Sequence, residues 1–266
     1  MDTLAPALDP TRLFTAADLE PDDWQEELLL EPWSRAILLC ARQTGKSTTT
    51  AALALHTALY RTDALVLILA PSRRQSKELL QKVWGLYRDV GRPVDVDNRS
   101  ALRVRFENGS RLIALPGTEK TIRGFSAVDL IVADEAAAVD DELYEAVRPM
   151  LAVSNGRLVA LSTPRGKRGW FHEAWTSEEQ DWYRVKQTGP DCDRLSEDFL
   201  RQERAELGAW QYRQEYLCQF VDTEDQFFRT DDIQRASGHD FPPLFDEETL
   251  TEDTPVRSFD PIDPTA

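Results

Sequence analysis

The sequence predicts an α/β fold in which a mostly parallel central sheet has helices on both faces. Short continuous apolar runs are the first reason, because strands buried on both faces do not alternate between apolar and polar residues. Such runs occupy residues 36–40, 65–70, 130–133 and 158–161. The second reason is the helix pattern of residues 47–60, which is apolar on most faces, as expected of a helix packed on a sheet.

The first apolar run leads into a pattern typical of a phosphate-binding loop. Gly45, Lys46 and Ser47 lie between the expected strand and the expected helix, so backbone N–H groups at the helix N-terminus could hold an anion. In such a loop Lys46 reaches the terminal phosphates of a nucleotide and the Ser47 hydroxyl binds Mg²⁺. The full consensus has a glycine six residues before the lysine, where this chain has Cys40. The alternative interpretation is a chance Gly-Lys-Ser at the end of a strand.

The apolar run 130–133 ends in two adjacent carboxylates, Asp134 and Glu135. The carboxyl ends of central strands are where ligands bind in open α/β sheets. Asp134 could hold Mg²⁺ through water there, and Glu135 could orient and deprotonate an attacking water. Acidic pairs also occur as simple turn residues, but a phosphate loop about 88 residues upstream favours the catalytic interpretation.

Polar residues near two other elements are further site candidates. Asp22 or Asp23 could cap a short helix. On that helix Gln25 could pair with an adenine edge, because its side-chain amide both donates and accepts. The alternative is an exposed glutamine on a capped helix. Thr163, after the run 158–161, is placed to sense a γ-phosphate, and the basic-aromatic run 165–171 could contact a DNA backbone.

The other expected elements surround this core. Asn108 and Gly109 predict the turn of a hairpin, because this dipeptide favours the backbone twist of tight β-turns. The expected elements are hairpin strands at 102–106 and 111–115, helices at 72–90, 142–151 and 196–216 with a break near Gly208, and an edge strand within 181–188.

Composition narrows the class of protein. The 266 residues carry a net charge of −16, yet residues 33–190 have 23 basic and 18 acidic side chains, so a basic patch remains compatible with the sequence. No signal peptide is readable and no apolar run approaches the roughly 20 residues that cross a bilayer. The three cysteines are scattered, which indicates a reducing compartment and no structural metal.

Taken in order, these motifs resemble the ATPase domain of tailed-bacteriophage terminase large subunits, the motors that pump DNA into procapsids. The loop 42–47 (Arg-Gln-Thr-Gly-Lys-Ser) is similar to the deviant Walker A loop of that family, and residues 130–136 to its Walker B motif. The segments 22–25, 161–166 and 213–220 are similar to its adenine, coupling and domain-end motifs.

The resemblance implies a P-loop NTPase fold of the ASCE/RecA-like type, with a hairpin insertion and a small C-terminal extension. It implies an N-terminal arm over residues 1–20, an ATPase domain over 21–225 and an acidic extension over 226–266. Family members usually continue into a nuclease domain. That domain is expected to be absent here, and no nuclease activity is expected.

The resemblance also assigns roles to residues. Arg42 contacts the phosphates in cis and Arg123 acts on a neighbouring subunit's nucleotide, with Arg148, Arg165 and Arg168 as rivals for the second role. Glu135, Lys46, Arg42 and Arg123 are then the catalytic residues, and Ser47 and Asp134 hold Mg²⁺. The expected ATP contacts are Gln25, Arg42, Gln43, Thr44, Gly45, Lys46, Ser47, Thr48 and Thr163.

The implied partners are double-stranded DNA, further copies of the chain in a ring (a pentamer in the family) docked on a portal, and the small terminase subunit. The expected location is the host cytoplasm at the procapsid, with no membrane partner. Two alternatives remain open from the residues: a helicase-like DNA translocase, and a non-catalytic module whose assembly depends on a nucleotide.

Overall fold

A computed structural model describes residues 4–116, 124–178 and 181–221. Its helices are α1 (Leu4–Leu8), α2 (Arg12–Ala16), α3 (Asp23–Leu30), α4 (Lys46–Tyr60), α5 (Arg73–Asp89), α6 (Asp141–Val147), α7 (Gly169–Thr176) and α8 (Glu197–Glu215). Its strands are β1 (Arg35–Cys40), β2 (Leu65–Ala70), β3 (Val96–Arg99), β4 (Arg103–Phe106), β5 (Arg111–Pro116), β6 (Leu130–Asp134), β7 (Arg157–Ser162) and β8 (Tyr183–Gln187). The expected apolar strands are all confirmed.

The eight strands form one sheet in the order β3-β4-β5-β2-β6-β7-β1-β8. The strands from β5 to β8 in this order pair in parallel, and the β3–β4 and β4–β5 pairs are antiparallel. This arrangement confirms the mostly parallel sheet. Since β7 pairs with both β1 and β6, the loop after β1 and the carboxylates after β6 open on the same edge of the sheet, on either side of the end of β7.

Helices cover both faces of the sheet because successive residues of a strand point to opposite sides. Leu38 of β1 packs in the core beneath α4 and α5, whereas Ile37 packs in the core beneath α6 and α7. Both side chains are fully buried. Truncating either residue to alanine would cost about 2–5 kcal/mol of unfolding free energy.

The hairpin around Asn108 is confirmed as the β4–β5 pair. Gly109 supplies the positive φ of 85° that its turn requires, and Asn108 donates its side-chain amide to the carbonyl of Ala58, 2.9 Å away. The hairpin gains a third strand, β3, that the sequence did not predict. Three of the four β3 residues are exposed, so the segment carries no apolar pattern.

Two further segments differ in detail from the expectation. The arm before residue 20 forms two short helices and buries Leu13 and Phe14 against the core. The helix expected over 142–151 ends at Val147 and continues as a 3₁₀ turn, Arg148–Leu151, which contains Pro149. The expected break in the last helix is confirmed, because Gly208 has a φ of 76° there.

The acidic segment 226–266 lies outside the described residues, as does Arg123. None of the helices within the described ranges is both long enough and apolar enough to cross a bilayer.

Candidate active site

The loop between β1 and α4 has the backbone shape of an anion cradle. Gln43 and Gly45 adopt left-handed φ values of 61° and 86°, which reverse the chain between the end of β1 and the start of α4. Buried Thr44 fixes the turn by donating its hydroxyl to the carbonyl of Ala41, 2.9 Å away. In the part of the chain that the structure describes, no side chain caps α4, so its first N–H groups point toward the loop opening.

Cys40 occupies the position where the full phosphate-loop consensus has glycine. Its side chain is fully buried and packs in the core beneath α4. Burial raises the pKa of the thiol to about 12, so the group remains neutral. Cys40 therefore serves the core, and close approach of an anion to the loop depends on the end near Gly45.

The structure brings Lys46 and Glu135 together, as the sequence predicted for one site. The Lys46 Nζ lies 3.8 Å from Glu135 Oε1, and the Lys46 side chain is only 10% exposed. Glu135 follows β6 with a strained φ of 50° and donates its N–H to Asp134 Oδ1, 3.1 Å away. One ammonium and two carboxylates thus meet at the ends of two strands that flank β7.

The electrostatics of this cluster favour the arrival of a cation. Asp134 is only 8% exposed, and burial together with the charge of Glu135 raises its pKa to about 6. The Lys46 ammonium acts in the opposite direction. A divalent cation would offset the repulsion between the two carboxylates, and the oxygen donors of Asp134 and of Ser47, the residue after Lys46, are of the kind that Mg²⁺ prefers.

Within the described ranges, no group of three or more His, Cys, Asp and Glu side chains could hold a metal by itself. This finding is compatible with Mg²⁺, which usually takes one or two protein carboxylates and completes its shell with water and substrate phosphates. Ser47 is partly exposed at the second position of α4.

Arg42 has a partner that the sequence did not reveal. Its guanidinium Nε donates to Glu215 Oε2 at 2.6 Å, and this hydrogen bond raises the pKa of Arg42. Glu215 lies at the end of α8 and its side chain is only 10% exposed, whereas that of Arg42 is 62% exposed. The last helix of the described chain is therefore tied to the loop, and a phosphate contact by Arg42 stays a prediction.

Thr163 lies close to the acidic residues. It lines a small cleft of about 390 Å³ whose walls also include Glu135, Arg165 and Glu215. Since Thr163 directly follows β7, it occupies the strand end between the loop and the carboxylates. Its proposed role as a γ-phosphate sensor stays a prediction.

Gln25, the expected adenine contact, lies in a second and larger cleft. The Gln25 side chain is 2% exposed; its Oε1 accepts from the Asp22 N–H at 2.8 Å and its Nε2 donates to the Thr49 hydroxyl at 2.7 Å. The alternative of an exposed glutamine is therefore wrong, although the capped helix is present. Whether Gln25 also contacts an adenine stays a prediction.

This larger cleft, the base-side cleft, has a volume of about 1010 Å³ and borders the loop at Gly45 and Thr48. Its remaining walls come from the segment before α3, from α3 itself and from the loop that joins β8 to α8. Arg194 of the last loop donates to both carboxylate oxygens of Asp22 and to the carbonyl of Thr44. Neither Arg194 nor Glu215 was a site candidate: no local motif marks Arg194, and the domain-end motif that contains Glu215 carries no expected site role.

The basic-aromatic run 165–171 does not form the surface that was expected. Trp170 and Phe171 are buried in α7, and Trp170 stacks on Tyr144 with ring centroids 4.1 Å apart. Both aromatic residues lie in the hydrophobic core and are not available to DNA, so contact of the run with a DNA backbone would fall to its exposed arginines and stays a prediction. Arg165 and Arg168 remain exposed.

Residues 37–235 match the sequence family described as terminase large subunit, T4likevirus-type, N-terminal. The chain belongs to this terminase family. Among curated proteins it is 27% identical over 210 residues to the terminase large subunit of Escherichia phage T5, covering 76% of this chain and 48% of that protein. It is 26% identical over 254 residues to that of Thermus virus P23-45, covering 82% and 52%. The chain thus spans about half the length of the curated relatives it matches.

Solved structures of terminases share the fold. The large terminase ATPase domain of Thermus phage P74-26 superposes with a TM-score of 0.69 at 21% identity, covering 79% of this chain and 98% of that one. The HK97 bacteriophage large terminase gives a TM-score of 0.64 at 18% identity, covering 79% and 55%. A large terminase from a thermophilic bacteriophage, in complex with ATP-γ-S, gives 0.59 at 15% identity, covering 71% and 48%. The P-loop type of α/β fold implied by the sequence is confirmed.

Proposed function

We propose that this chain is the ATP-hydrolysing part of a DNA-packaging motor, which couples ATP hydrolysis to the movement of double-stranded DNA into a viral procapsid. The observation that carries the proposal is the contact of Lys46 with Glu135 across 3.8 Å, beside the buried carboxylate of Asp134. A cradle for phosphates and a base for water thus lie side by side. Membership of the terminase family supplies the packaging context.

The residues of the loop bind and orient the triphosphate. Backbone N–H groups at the start of α4 contact its oxygens, and the Lys46 ammonium moves from Glu135 toward the terminal phosphates. Ser47 and Asp134 would hold Mg²⁺, which would supply charge neutralisation on the phosphate oxygens. Arg42, which pairs with Glu215, and Thr163, which lines a cleft with Glu135 and Glu215, are the proposed contacts of the γ-phosphate.

Glu135 orients a water and accepts its proton during hydrolysis. Its side chain is 34% exposed, so water reaches the carboxylate. In the proposed cycle, departure of the Lys46 ammonium toward the phosphates leaves Glu135 free to bind that water.

The proposed partners are double-stranded DNA, neighbouring copies of the chain in a pentameric ring, and the portal and small terminase subunit. The full-length relatives that match this chain are terminase large subunits, which supports this set. In the ring, Arg123 would reach the nucleotide of the next subunit. Arginine fingers are worth about 10³–10⁵ in rate in related phosphoryl-transfer enzymes. A lone subunit should therefore hydrolyse ATP slowly.

The test is the ATPase rate per subunit as a function of protein concentration, with and without double-stranded DNA. We expect a steep rise with concentration and a further rise with DNA, because neighbours complete one another's sites. Lys46→Ala, measured in parallel, should remove the activity at every concentration. A rate that Lys46→Ala leaves intact would contradict the site, and tight ATP binding without turnover even with DNA would favour the non-catalytic assembly module.

A further inference from the structure

Arg194 contacts three acceptors on two separate segments. Its Nη1 donates to Asp22 Oδ1 at 2.5 Å and its Nη2 to Asp22 Oδ2 at 2.7 Å, a bidentate pair. The same Nη2 donates to the carbonyl oxygen of Thr44 at 3.0 Å. One guanidinium therefore joins the cap residue of α3 to the backbone of the loop, across 172 and 150 positions of sequence.

The contact with Thr44 determines which way the next N–H points. A trans peptide unit is planar, so its C=O and the following N–H point in opposite directions. With the Thr44 carbonyl held toward Arg194, the Gly45 N–H is turned to the other side of the loop, away from the clamp. That N–H is among the donors from which an anion cradle at the start of α4 is built.

The side chains that surround Gly45 support the same conclusion. A Cβ at Gly45 would lie 2.7 Å from Gln25 Nε2 and 3.2 Å from Arg194 Nη2. Both side chains therefore pack directly against the backbone of the loop on one side. Gln25 is fixed in turn, since its Nε2 bonds Thr49 and its Oε1 bonds the N–H of Asp22.

The loop that carries Arg194 is itself ordered by hydrogen bonds. It follows β8, the direct neighbour of β1 in the sheet, so its start lies beside the phosphate loop. Gln187 donates its side-chain amide to the carbonyl of Asp191 at 2.8 Å, and the Leu195 N–H donates to the carbonyl of Cys192 at 2.9 Å. Arg194 is thus presented by a prearranged turn, and its charge is balanced by Asp22.

We propose that Arg194 is a positioning residue for the nucleotide reaction: it clamps the Thr44–Gly45 peptide to Asp22 and so holds the phosphate loop in its binding conformation. The proposal rests on the proposed nucleotide site. It predicts that the shape of the side chain matters as well as its charge. The forked guanidinium of arginine satisfies all three acceptors, and the single ammonium of lysine does not.

The experiment compares Arg194→Lys and Arg194→Ala with the wild-type full chain. Calorimetry gives the Kd of ADP, and ATPase assays with double-stranded DNA give KM and kcat for ATP. We expect Kd and KM to rise by about tenfold or more in both variants. We expect kcat to stay within about threefold, because the loop holds the phosphates equally in the ground state and the transition state. Asp22→Asn keeps a capping side chain but weakens the clamp, so a rise of about threefold is expected.

The matched control is Arg201→Lys on α8, since Arg201 is 76% exposed on its side chain and pairs only with Asp198 among the described residues. It should behave as the wild type.

A wild-type KM in Arg194→Lys would overturn the inference, as would a fall in kcat at unchanged KM, which indicates a loss of folded protein. If the wild-type chain itself binds no ADP, the proposed function fails; if it binds and the Arg194 variants bind equally well, only the clamp fails. Thermal unfolding of each variant and the Asp22→Asn result keep the test valid should Arg194→Ala fold poorly.

Discussion

The proposed phosphate end of the site, around Lys46 and Glu135, is built at the ends of two strands, whereas the proposed base end, the base-side cleft, is built from three segments that are distant in sequence. At the phosphate end, Lys46 begins the helix after the β1 loop and Glu135 directly follows β6, and their side chains are 10% and 34% exposed. At the base end, Gln25, Gly45 and Arg194 line an open cleft between α3, the loop and the segment after β8.

The difference shows what positions the side chains at each end of the site. A parallel sheet places the carboxyl ends of its strands at one edge, so neighbouring strands bring their following residues together without any further device. The base end has no such frame. It is held by side-chain hydrogen bonds, of which the Asp22–Arg194 pair and the Gln25–Thr49 contact are the main ones. Substitutions at the two ends should therefore fail in different ways.

The largest effect is expected for Glu135→Gln at the phosphate end. Glutamine keeps the size of the side chain but cannot accept the proton of water, and general bases contribute about 10²–10⁴ to rates. We expect kcat for ATP to fall by about 10³-fold while the Kd of ADP changes by less than about threefold. Glu145→Gln, an exposed carboxylate on α6, should leave both quantities unchanged. Equal turnover in the two variants would remove Glu135 from the mechanism.

A smaller effect, on binding, is expected for Gly45→Ala, which acts where the two ends meet. The residue has a φ of 86°, and the added Cβ would lie 2.7 Å from Gln25 Nε2. Strain in the left-handed region and this close contact should lower the unfolding free energy by about 1–2 kcal/mol and raise the Kd of ADP by about tenfold.

Gly91→Ala is the matched control for Gly45→Ala, because Gly91 has a φ of 81° and no atom lies within 4 Å of its added Cβ among the described residues. It should lose comparable stability by urea unfolding and keep its affinity for ADP. Loss of ADP affinity in both variants would show that the effect is one of general stability.

The third prediction, for Asp134→Asn, concerns the unfolding free energy and its dependence on pH. The pKa of Asp134 is raised from 3.8 to about 6, first by burial and second by Glu135. Between these two pH values the folded chain binds more protons at Asp134 than the unfolded chain does. The contribution of Asp134 to the unfolding free energy therefore falls as the pH rises toward about 6, and it stays at its low value above that pH. Asparagine has no charge to bury and retains an oxygen for the Glu135 N–H.

Asp134→Asn should therefore unfold at a higher temperature than the wild type at pH 7.5, with a gain of at most about 3 kcal/mol in unfolding free energy. The gain should vanish near pH 4, and ATP hydrolysis should be lost. Asp140→Asn, at an exposed position, is the control for the removal of one negative charge. If the gain in unfolding free energy is the same at pH 4 and pH 7.5, the fold does not disfavour the ionised form of Asp134.

The sequence by itself determined the sheet, the loop and the acidic pair. Strands such as Leu65–Ala70 were predictable to the residue, because a run buried on both faces is apolar throughout and ends at turn residues. Lys46 and Glu135 were predictable as one site because Lys46 follows the short loop after one strand and Glu135 directly follows another, and strand ends in a parallel sheet share an edge. Local patterns carry all of this information.

Only the tertiary structure decided the partners of these residues. Arg194 lies 150 positions from Thr44 and Glu215 lies 173 positions from Arg42, and no pattern of period 2 or 3.6 encodes such pairs. The strand β3 escaped prediction because its exposed residues follow the sheet edge and not a core. Trp170 and Phe171 belong to a run that was expected to lie where DNA could reach it, but both side chains of α7 are buried. Which of these side chains contact each other depends on how the helices and strands pack, and packing is determined by residues throughout the chain.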